Sequence, residues 1–309
     1  MLSLNKNFLF VHIPKSCILK EVYIYMISFP NLGKGVRLGN QMFQYAFLRS
    51  TARRLGVKFY CPAWSGDSLF TLNDQEERVS QPEGITKQYR QGLNPGFSEN
   101  ALSIQDGTEI SGYFQSDKYY DNPDLVRQWF SLKEEKIASI RDRFSRLNFA
   151  NSVGMHLRFG DVVGQLKRPP MRRSYYKKAL SYIPNQELIL VFSDEPERTK
   201  KMLDGLSGNF LFLSGHKNYE DLYLMTKCQH FICSYSTFSW WGAWLGGERE
   251  RTVIYPKEGQ YRPGYGRKAE GVSCESWIEV QSLRGFLDDY RLVSRLEKRL
   301  PKSLMNFFY

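Results

Sequence analysis

The ten residues SVGMHLRFGD, at positions 152 to 161, join a strand pattern directly to a charged turn. Apolar residues alternate with His156 and Arg158, which is the period of a β-strand, and a glycine then ends the pattern before Asp161. Ligands of open α/β sheets bind beyond the carboxyl ends of the strands, so Arg158 and Asp161 are expected at the lip of a crevice. The planar guanidinium group of Arg158 suits a phosphate. An ion pair between these two side chains is the plainer alternative.

Polar residues also follow two later runs of strand type. Ser193 and Asp194 come after LILVF, and the turn Ser-Tyr-Ser-Thr-Phe-Ser at 234–239 comes after HFIC. Apolar runs at 153–157, 188–192, 210–213, 230–233 and 252–255 alternate with helical patterns at about 173–183, 196–206, 219–228 and 237–246. This alternation predicts βαβ units and a parallel, doubly wound sheet. The polar turns should therefore lie at one edge of that sheet, where a nucleotide would bind.

The turn at 234–239 has chemistry of its own to offer. We expect Ser236 or Thr237 to cap the following helix, which carries three tryptophans. A helix N-terminus offers free N–H groups and a partial positive charge to a phosphate. The alternatives are that the hydroxyl group serves only as a cap and that the tryptophans are only core.

The amino-terminal half begins with a strand, a loop and a helix. Residues 22–28 are rich in β-formers and predict a strand, residues 33–40 form a glycine-rich loop, and residues 41–55 have helical character up to Gly56. This order can cradle a phosphate, but the spacing fits neither common glycine motif, and a tight turn explains it equally well. Residues 57–61 predict another strand.

The middle of the chain predicts less regular structure. Residues 65–106 are polar and read mostly as loop with short elements. A helix is expected to open at Asn122, just before Pro123, and residues 133–147 have helical character again. At 309 residues the chain exceeds the usual size of one hydrophobic core, so we expect two domains that meet near residue 150.

Composition limits the class of partner. Lysine and arginine number 43 against 32 acidic residues, and the formal net charge of +11 favours an anionic partner such as nucleic acid, a membrane surface or a phosphorylated substrate. Five scattered cysteines without a Cys-x-x-Cys pair indicate neither a disulfide framework nor a zinc site. We recognise no signal peptide and no spanning run of about 18 apolar residues, so we expect a cytoplasmic protein.

Five motifs considered together are more specific than any one of them. They are GVRLGNQMFQYA (35–46), GYFQSDKYY (112–120), HLRFGD (156–161), FSDE (192–195) and SYSTFSWWGAWL (234–245). In order and spacing they resemble the bacterial α1,2-fucosyltransferases of glycosyltransferase family 11, which are related to the α1,6- and protein O-fucosyltransferases.

The resemblance implies an α/β fold of the GT-B type, in which two Rossmann-like domains face a cleft. Residues 1–150 would form the domain mainly on the acceptor side, with the glycine-rich GNQ loop, and residues 151–284 would bind GDP-fucose. The implied reaction is an inverting transfer of L-fucose to the 2-hydroxyl of a terminal galactose in a bacterial surface glycan or oligosaccharide.

Carried over residue by residue, the resemblance implies that Arg158 binds the β-phosphate of the donor. His156 and Asp161 would orient Arg158 and line the fucose site, which makes all three candidate catalytic residues. Phe159 stands where many relatives carry a second arginine, so neutralisation of the pyrophosphate would rest on one guanidinium group.

Other donor-binding roles fall on both halves of the chain. Asn40, in the GNQ motif, would face the donor or the reacting centre and is a fourth candidate catalytic residue. Asp194, beside Ser193, would lie near the guanosine. The phosphate-binding turn would consist of Ser236, Thr237, Phe238 and Ser239.

The chemistry of fucosyl transfer agrees with these roles. Negative charge builds on the β-phosphate as fucose leaves, and a fixed cation together with helix-end N–H groups stabilises that charge. Metal-dependent glycosyltransferases usually carry an Asp-x-Asp motif, which this sequence lacks, so we expect neither a metal nor any cofactor beyond the donor substrate. No signal identifies a base for the acceptor hydroxyl, and Asp117 and Asp161 are only candidates.

Other classes of protein are alternatives to a transferase of this kind. Lysines and arginines are dispersed, and no RRM, KH or zinc signature is present, so we expect no nucleic-acid partner. A different GDP-sugar-dependent transferase and a non-catalytic glycan-binding protein are the remaining alternatives, whereas the proposed transferase would act on a galactose-terminated glycan.

The carboxyl-terminal tail, residues 285–309, has apolar positions at near-helical spacing. Residues 291–302 contain five basic side chains and one glutamate. Such a helix predicts peripheral contact with the inner face of the cytoplasmic membrane, where lipid-linked acceptors are assembled. Packing of the tail back across the two domains is the alternative.

Overall fold

The computed structural model describes residues 25–159, 171–183, 188–247, 250–257, 261–262, 267–268 and 271–281. Its helices are α1 (Leu38–Leu55), α2 (Pro123–Trp129), α3 (Glu134–Arg143), α4 (Arg173–Leu180), α5 (Pro196–Leu203), α6 (Asn218–Lys227) and α7 (Thr237–Trp244). Its strands are β1 (Met26–Ser28), β2 (Lys58–Tyr60), β3 (Lys87–Arg90), β4 (Thr108–Ser111), β5 (Ser152–Leu157), β6 (Leu188–Ser193), β7 (Phe210–Leu213), β8 (His230–Ile232), β9 (Val253–Pro256), β10 (Tyr261–Arg262), β11 (Arg267–Lys268) and β12 (Ile278–Val280). Asp161 and the predicted tail helix at 285–309 lie outside the described residues.

The amino-terminal sheet has, in the described part of the chain, four parallel strands in the order β2-β1-β4-β3. The two predicted strands, at 22–28 and 57–61, are confirmed as β1 and β2 within the described residues. β3 and β4 were not predicted, because each is four residues long and mixes polar with apolar positions. Helix α1 begins three residues before the predicted 41–55 and ends as predicted, with Gly56 in the left-handed conformation at a φ of 69°.

The carboxyl-terminal sheet has six parallel strands among the described residues, in the order β12-β9-β8-β5-β6-β7. The five predicted strands and their parallel, doubly wound arrangement are confirmed. After β5, the next two strands, β6 and β7, add to one side of it, and the following strands, β8 and β9, add to its other side. The strand order therefore reverses between β5 and β8, and their carboxyl ends form the crevice in which ligands of such sheets bind.

Two helices connect the sheets. α2 begins where the sequence predicts, with Pro123 at its first position and Asn122 Oδ1 accepting the Leu125 N–H at 3.0 Å. α3 lies within the predicted 133–147 and ends at Arg143, which pairs with Glu220 of α6. The predicted domain boundary near residue 150 stays a prediction. No described helix has the length and apolar character needed to cross a bilayer.

One apolar cluster contains buried residues of both sheets and of the helices α1 and α7, which contact each other. Trp240 and Trp241 are fully buried, and their rings lie 4.6 and 4.8 Å from the ring of Phe43 in α1. Trp241 Nε1 donates a hydrogen bond to the Gly39 carbonyl at 2.9 Å. A β-carbon on Gly39 would lie 2.7 Å from the Phe238 nitrogen, so the two backbones touch. The tryptophans are core, and this core joins the two sheets.

We expect Trp241→Ala to lower the free energy of unfolding by about 3–5 kcal/mol, because it removes a buried aromatic side chain from this junction. Urea unfolding followed by circular dichroism measures the change. Leu93→Ala is the matched control, since Leu93 is 63% exposed and its removal creates no cavity. A loss below about 1 kcal/mol in Trp241→Ala, comparable to an ordinary surface substitution, would contradict a junction that depends on this ring.

Candidate functional site

The turns after β5 and β6 are held together at the carboxyl edge of the second sheet. Arg158 follows β5 directly and is half-buried. The Phe159 N–H donates to Asp194 Oδ1 at 2.9 Å, so the exposed Asp194 links its own turn to the turn that carries Arg158. Arg158 and Asp194 were predicted from separate motifs, and the structure brings their turns into contact.

Ser193, at the end of β6, has its hydroxyl group within the turn. Its Oγ accepts the Glu195 N–H at 3.1 Å and lies 2.7 Å from the Thr199 hydroxyl. These contacts fix the start of α5 beside Asp194. Ser193 thus stabilises the turn on which the predicted nucleoside contact depends.

His156 is buried and connects β5 to the turn at 234–239. Its Nδ1 atom lies 2.6 Å from the Ser234 hydroxyl oxygen. The Tyr176 hydroxyl donates to the His156 carbonyl at 3.2 Å. Burial lowers the pKa of His156 to about 3, and the nearby positive charge of Arg158 acts in the same direction. The ring is therefore uncharged near neutral pH, and it stabilises the turn rather than accepting a second proton.

The turn at 234–239 is stabilised from inside. Ser239 is fully buried, and its Oγ accepts the Ser234 N–H at 3.1 Å. Ser236 is the N-cap residue of α7, yet within the described residues its side chain accepts no capping hydrogen bond. The prediction of a hydroxyl cap on this helix is therefore wrong. Ser236, Thr237 and Phe238 are half-buried and lie at the first turn of α7.

Asn40 reaches this turn from the other sheet. It follows Gly39, whose backbone lies against Thr237 and Phe238, so Asn40 is beside the first turn of α7. Asn40 Oδ1 accepts a hydrogen bond of 2.8 Å from Gln115 Nε2. This bond orients the Asn40 amide, and the Nδ2 group is its hydrogen-bond donor.

Gln115 was not predicted as a site residue, although it lies in the motif at 112–120. Its turn is held by Gln91, whose Oε1 accepts the N–H groups of Tyr113 and Phe114 at 2.8 and 2.9 Å. Phe114 has a φ of 52°, an uncommon conformation for a residue with a side chain, and its ring stacks on Phe47 of α1 at 3.7 Å. The amide that contacts Asn40 therefore projects from a tightly fixed turn.

Glutamines of α1 also hold the glycine-rich loop. Gln44 Oε1 accepts the Gly33 N–H at 2.9 Å, and Gln44 Nε2 donates to the Gly112 carbonyl at 2.9 Å. Gln41 Nε2 donates to the Val36 carbonyl at 2.9 Å. Because the Gly33 N–H is already bonded, the contacts favour a structural turn over a phosphate cradle at this glycine.

Of the two candidate bases, only Asp117 lies in the described part of the chain. It is half-buried, and the pKa of the Cys274 thiol is raised by burial and, in addition, by the nearby negative charge of Asp117. The neighbouring Lys118 pairs with Glu275 at 3.0 Å. Asp117 thus faces the segment before β12. The described residues contain no group of three or more histidine, cysteine or acidic side chains placed to bind a metal.

The lowered pKa of His156 predicts a particular dependence of stability on pH. Below about pH 6.5 the unfolded chain binds a proton at this histidine that the folded chain rejects. The free energy of unfolding should therefore fall with decreasing pH between about 6.5 and the folded value of about 3. One such proton contributes about 1.4 kcal/mol per pH unit.

We expect His156→Asn to lack this contribution, so that its unfolding free energy falls less steeply than that of the wild type between pH 6 and pH 4.5, a range that lies below the ordinary histidine pKa of about 6.5. Urea unfolding of both proteins across that range measures the difference in slope. Parallel profiles would show that His156 is not a buried neutral group.

Comparisons with known proteins bear on this site. A model of the family described as glycosyl transferase family 11 matches residues 31–280. An O-antigen biosynthesis glycosyltransferase of Escherichia coli, WbnK, is 25% identical over 193 residues, which cover 58% of this chain and 63% of WbnK. The chain thus spans less than two thirds of the length of WbnK.

A second relative, an α-1,2-colitosyltransferase of Escherichia coli, is 24% identical over 258 residues, covering 67% of this chain and 84% of that protein. Among solved structures, POFUT1 in complex with GDP is 12% identical and superposes with a TM-score of 0.50, covering 74% of this chain and 98% of that one. This likeness shows a shared fold, the α/β fold of GT-B type that was predicted from the motifs.

Proposed function

Since this chain belongs to glycosyl transferase family 11, we propose that it transfers L-fucose from GDP-fucose to the 2-hydroxyl of a terminal galactose, with inversion at the sugar carbon. The acceptor would be a bacterial surface glycan or oligosaccharide. The name of the colitosyltransferase supports the α-1,2 linkage, and the name of WbnK supports a role in O-antigen assembly.

GDP-colitose is the second candidate donor. Colitose is L-fucose without its 3-hydroxyl group, and the relative that bears its name is matched over 84% of its length. Competition between GDP-fucose and GDP-colitose in one assay, with products separated by mass, decides between them.

The observation that carries the proposal is the contact of Gly39 with Thr237 and Phe238. It joins the first sheet to the turn at the switch point of the second sheet, and Arg158 follows the central strand of that second sheet. A donor diphosphate at this edge would meet a fixed cation and the amino-terminal end of α7, where Ser236 makes no side-chain cap among the described residues. Both features oppose the negative charge that develops on a departing GDP.

His156 has a positioning role in this proposal, and its buried neutral ring supports that role. A ring with a pKa of about 3 does not accept the proton of an acceptor hydroxyl near neutral pH. The proton must then pass to another group, and the two aspartates at 117 and 161 remain the candidates from the sequence.

The proposal includes no required metal, because the sequence has no Asp-x-Asp motif; transfer assayed in EDTA is the corresponding check. Peripheral contact of residues 285–309 with an anionic membrane also belongs to the proposal and rests on the sequence of that segment alone.

The purified protein incubated with GDP-fucose and a panel of β-galactosides tests the activity. The product should gain one deoxyhexose by mass, with an α1,2 linkage to galactose by methylation analysis. Binding of GDP-fucose without transfer to any galactoside would favour a transferase with another acceptor. Absence of binding would contradict the donor and favour a non-catalytic glycan-binding protein.

Arg158→Lys should lose about a hundredfold or more in kcat/KM, because an ammonium group does not reproduce the two parallel hydrogen bonds of a guanidinium group to a phosphate. Steady-state kinetics with GDP-fucose measures this loss. The control is Arg90→Lys, at an exposed position of β3. A folded Arg158→Lys protein that keeps more than about half of the wild-type kcat/KM would remove Arg158 from the phosphate site.

A double-mutant cycle tests whether Gln115 acts through Asn40. Gln115→Leu removes the 2.8 Å hydrogen bond and should lower kcat about tenfold with little change in the KM of GDP-fucose. In an Asn40→Ala background the same substitution should have almost no further effect, since the amide that it orients is gone. Additive losses would show that Gln115 contributes independently, and kcat measured for all four proteins decides the question.

A further inference from the structure

A pocket of about 600 Å³ opens beside the glycine-rich loop, on the first sheet. Its walls are the loop at 30–34, which follows β1, and the segment at 62–65, which follows β2, together with Gln41 of α1. It therefore lies at the carboxyl ends of two parallel strands, which is where α/β sheets bind ligands. Its size falls within the range of about 300–1,000 Å³ that is usual for small-molecule sites.

The walls of this pocket are fixed by side chains already described. Gln41 Oε1 accepts the Ser65 N–H of the second wall at 3.3 Å. Its Nε2 donates to the Val36 carbonyl at 2.9 Å, two residues beyond the first wall. Trp64 is buried and stacks on Tyr45 of α1 with ring centroids 5.0 Å apart. The pocket is thus held in shape by α1 rather than by two free loops.

The lining has apolar groups and a hydrogen-bond donor, which complement the C–H face and the hydroxyl groups of a pyranose ring. Apolar surface for the C–H face of a sugar comes from Pro30, Pro62 and the exposed Ala63. Lys34, exposed at the pocket, supplies an ammonium group with three N–H donors for hydroxyl oxygens. The indole N–H of Trp64 is buried and has no hydrogen-bond partner in the described part of the chain.

The position of the pocket relative to Asn40 limits what it can bind. Gln41 is the next residue after Asn40, and Asn40 lies beside the first turn of α7. The pocket is on the side of the first sheet, whereas Arg158 and the turn at 234–239 belong to the second sheet. In a displacement with inversion, the acceptor hydroxyl approaches the sugar carbon from the side opposite the leaving phosphate, so the acceptor must come from the first sheet.

We propose that this pocket binds the sugar that precedes the terminal galactose in the acceptor chain, and that it thereby sets the preference of the enzyme for an oligosaccharide over galactose alone. The inference rests on the proposed transfer to galactose. It identifies residues 30–34 and 62–65 as the part of the chain that recognises the sugar before galactose. The donor would still bind at the second sheet.

Ala63→Trp tests the proposal, because Ala63 is exposed and a large ring there fills the pocket without entering the core. The acceptors are methyl β-galactoside and three β-galactosyl disaccharides that end in glucose, N-acetylglucosamine or N-acetylgalactosamine. The wild type should use at least one disaccharide with a kcat/KM about tenfold or more above that of methyl β-galactoside. Ala63→Trp should lose this preference while keeping its rate with methyl β-galactoside and its KM for GDP-fucose.

Two further variants make the result specific. Lys34→Ala leaves the space open and should raise the KM of the preferred disaccharide several-fold, with no change for methyl β-galactoside. Asn100→Trp, at an exposed position outside the pocket lining, is the matched control and should behave as the wild type. Thermal unfolding of each protein verifies that the fold is kept.

Three outcomes would overturn the proposal. The first is a wild type that uses the disaccharides no better than methyl β-galactoside, and the second is an Ala63→Trp protein that keeps the preference. The third is a raised KM for GDP-fucose in Ala63→Trp, which would assign the pocket to the donor. A wild type that binds no GDP-fucose and modifies no galactoside refutes the proposed function itself, and the inference with it, so the two failures are distinguishable.

Discussion

The close contact between the backbone of Gly39 and the first turn of α7 is the constraint on which the rest of the site depends. A β-carbon at position 39 would stand 2.7 Å from the Phe238 nitrogen, so only glycine allows α1 and α7 to approach this far. The Trp241 indole then bonds to the Gly39 carbonyl. Because Asn40 comes next along α1, this contact sets its position relative to the turn of the opposite sheet.

Neutral side chains connect the elements of the site. The positive charge of Arg158 lies at the carboxyl end of β5. His156, Asn40 and Gln115 are buried or half-buried, and each uses a neutral side chain to connect elements that are distant in sequence. A buried charge would carry a large desolvation cost, which is the reason for the lowered pKa of His156. The desolvation cost is smaller for Arg158, because it lies at the end of β5 and is only half-buried.

The sequence predicted those features whose signal is local. The apolar runs of β5 and β6 specify the parallel sheet, and the polar turns after them specify its ligand edge. The contact between Gln115 and Asn40 spans 75 positions and depends on the left-handed backbone of Phe114, so no local pattern indicates it. Of the two residues predicted to cap α7, Ser236 and Thr237, Ser236 occupies the N-cap position, but residue type does not specify which way its hydroxyl group turns.

The apolar junction also limits how the site can move. Separating α1 from α7 would expose Trp240 and Trp241, which are fully buried, and would break the bond to the Gly39 carbonyl. Burial of a large apolar side chain contributes about 1.5–3 kcal/mol, so opening at this point would cost several kcal/mol for the two rings together. Asn40 and the turn at 234–239 should therefore keep their relative position while substrates bind and leave.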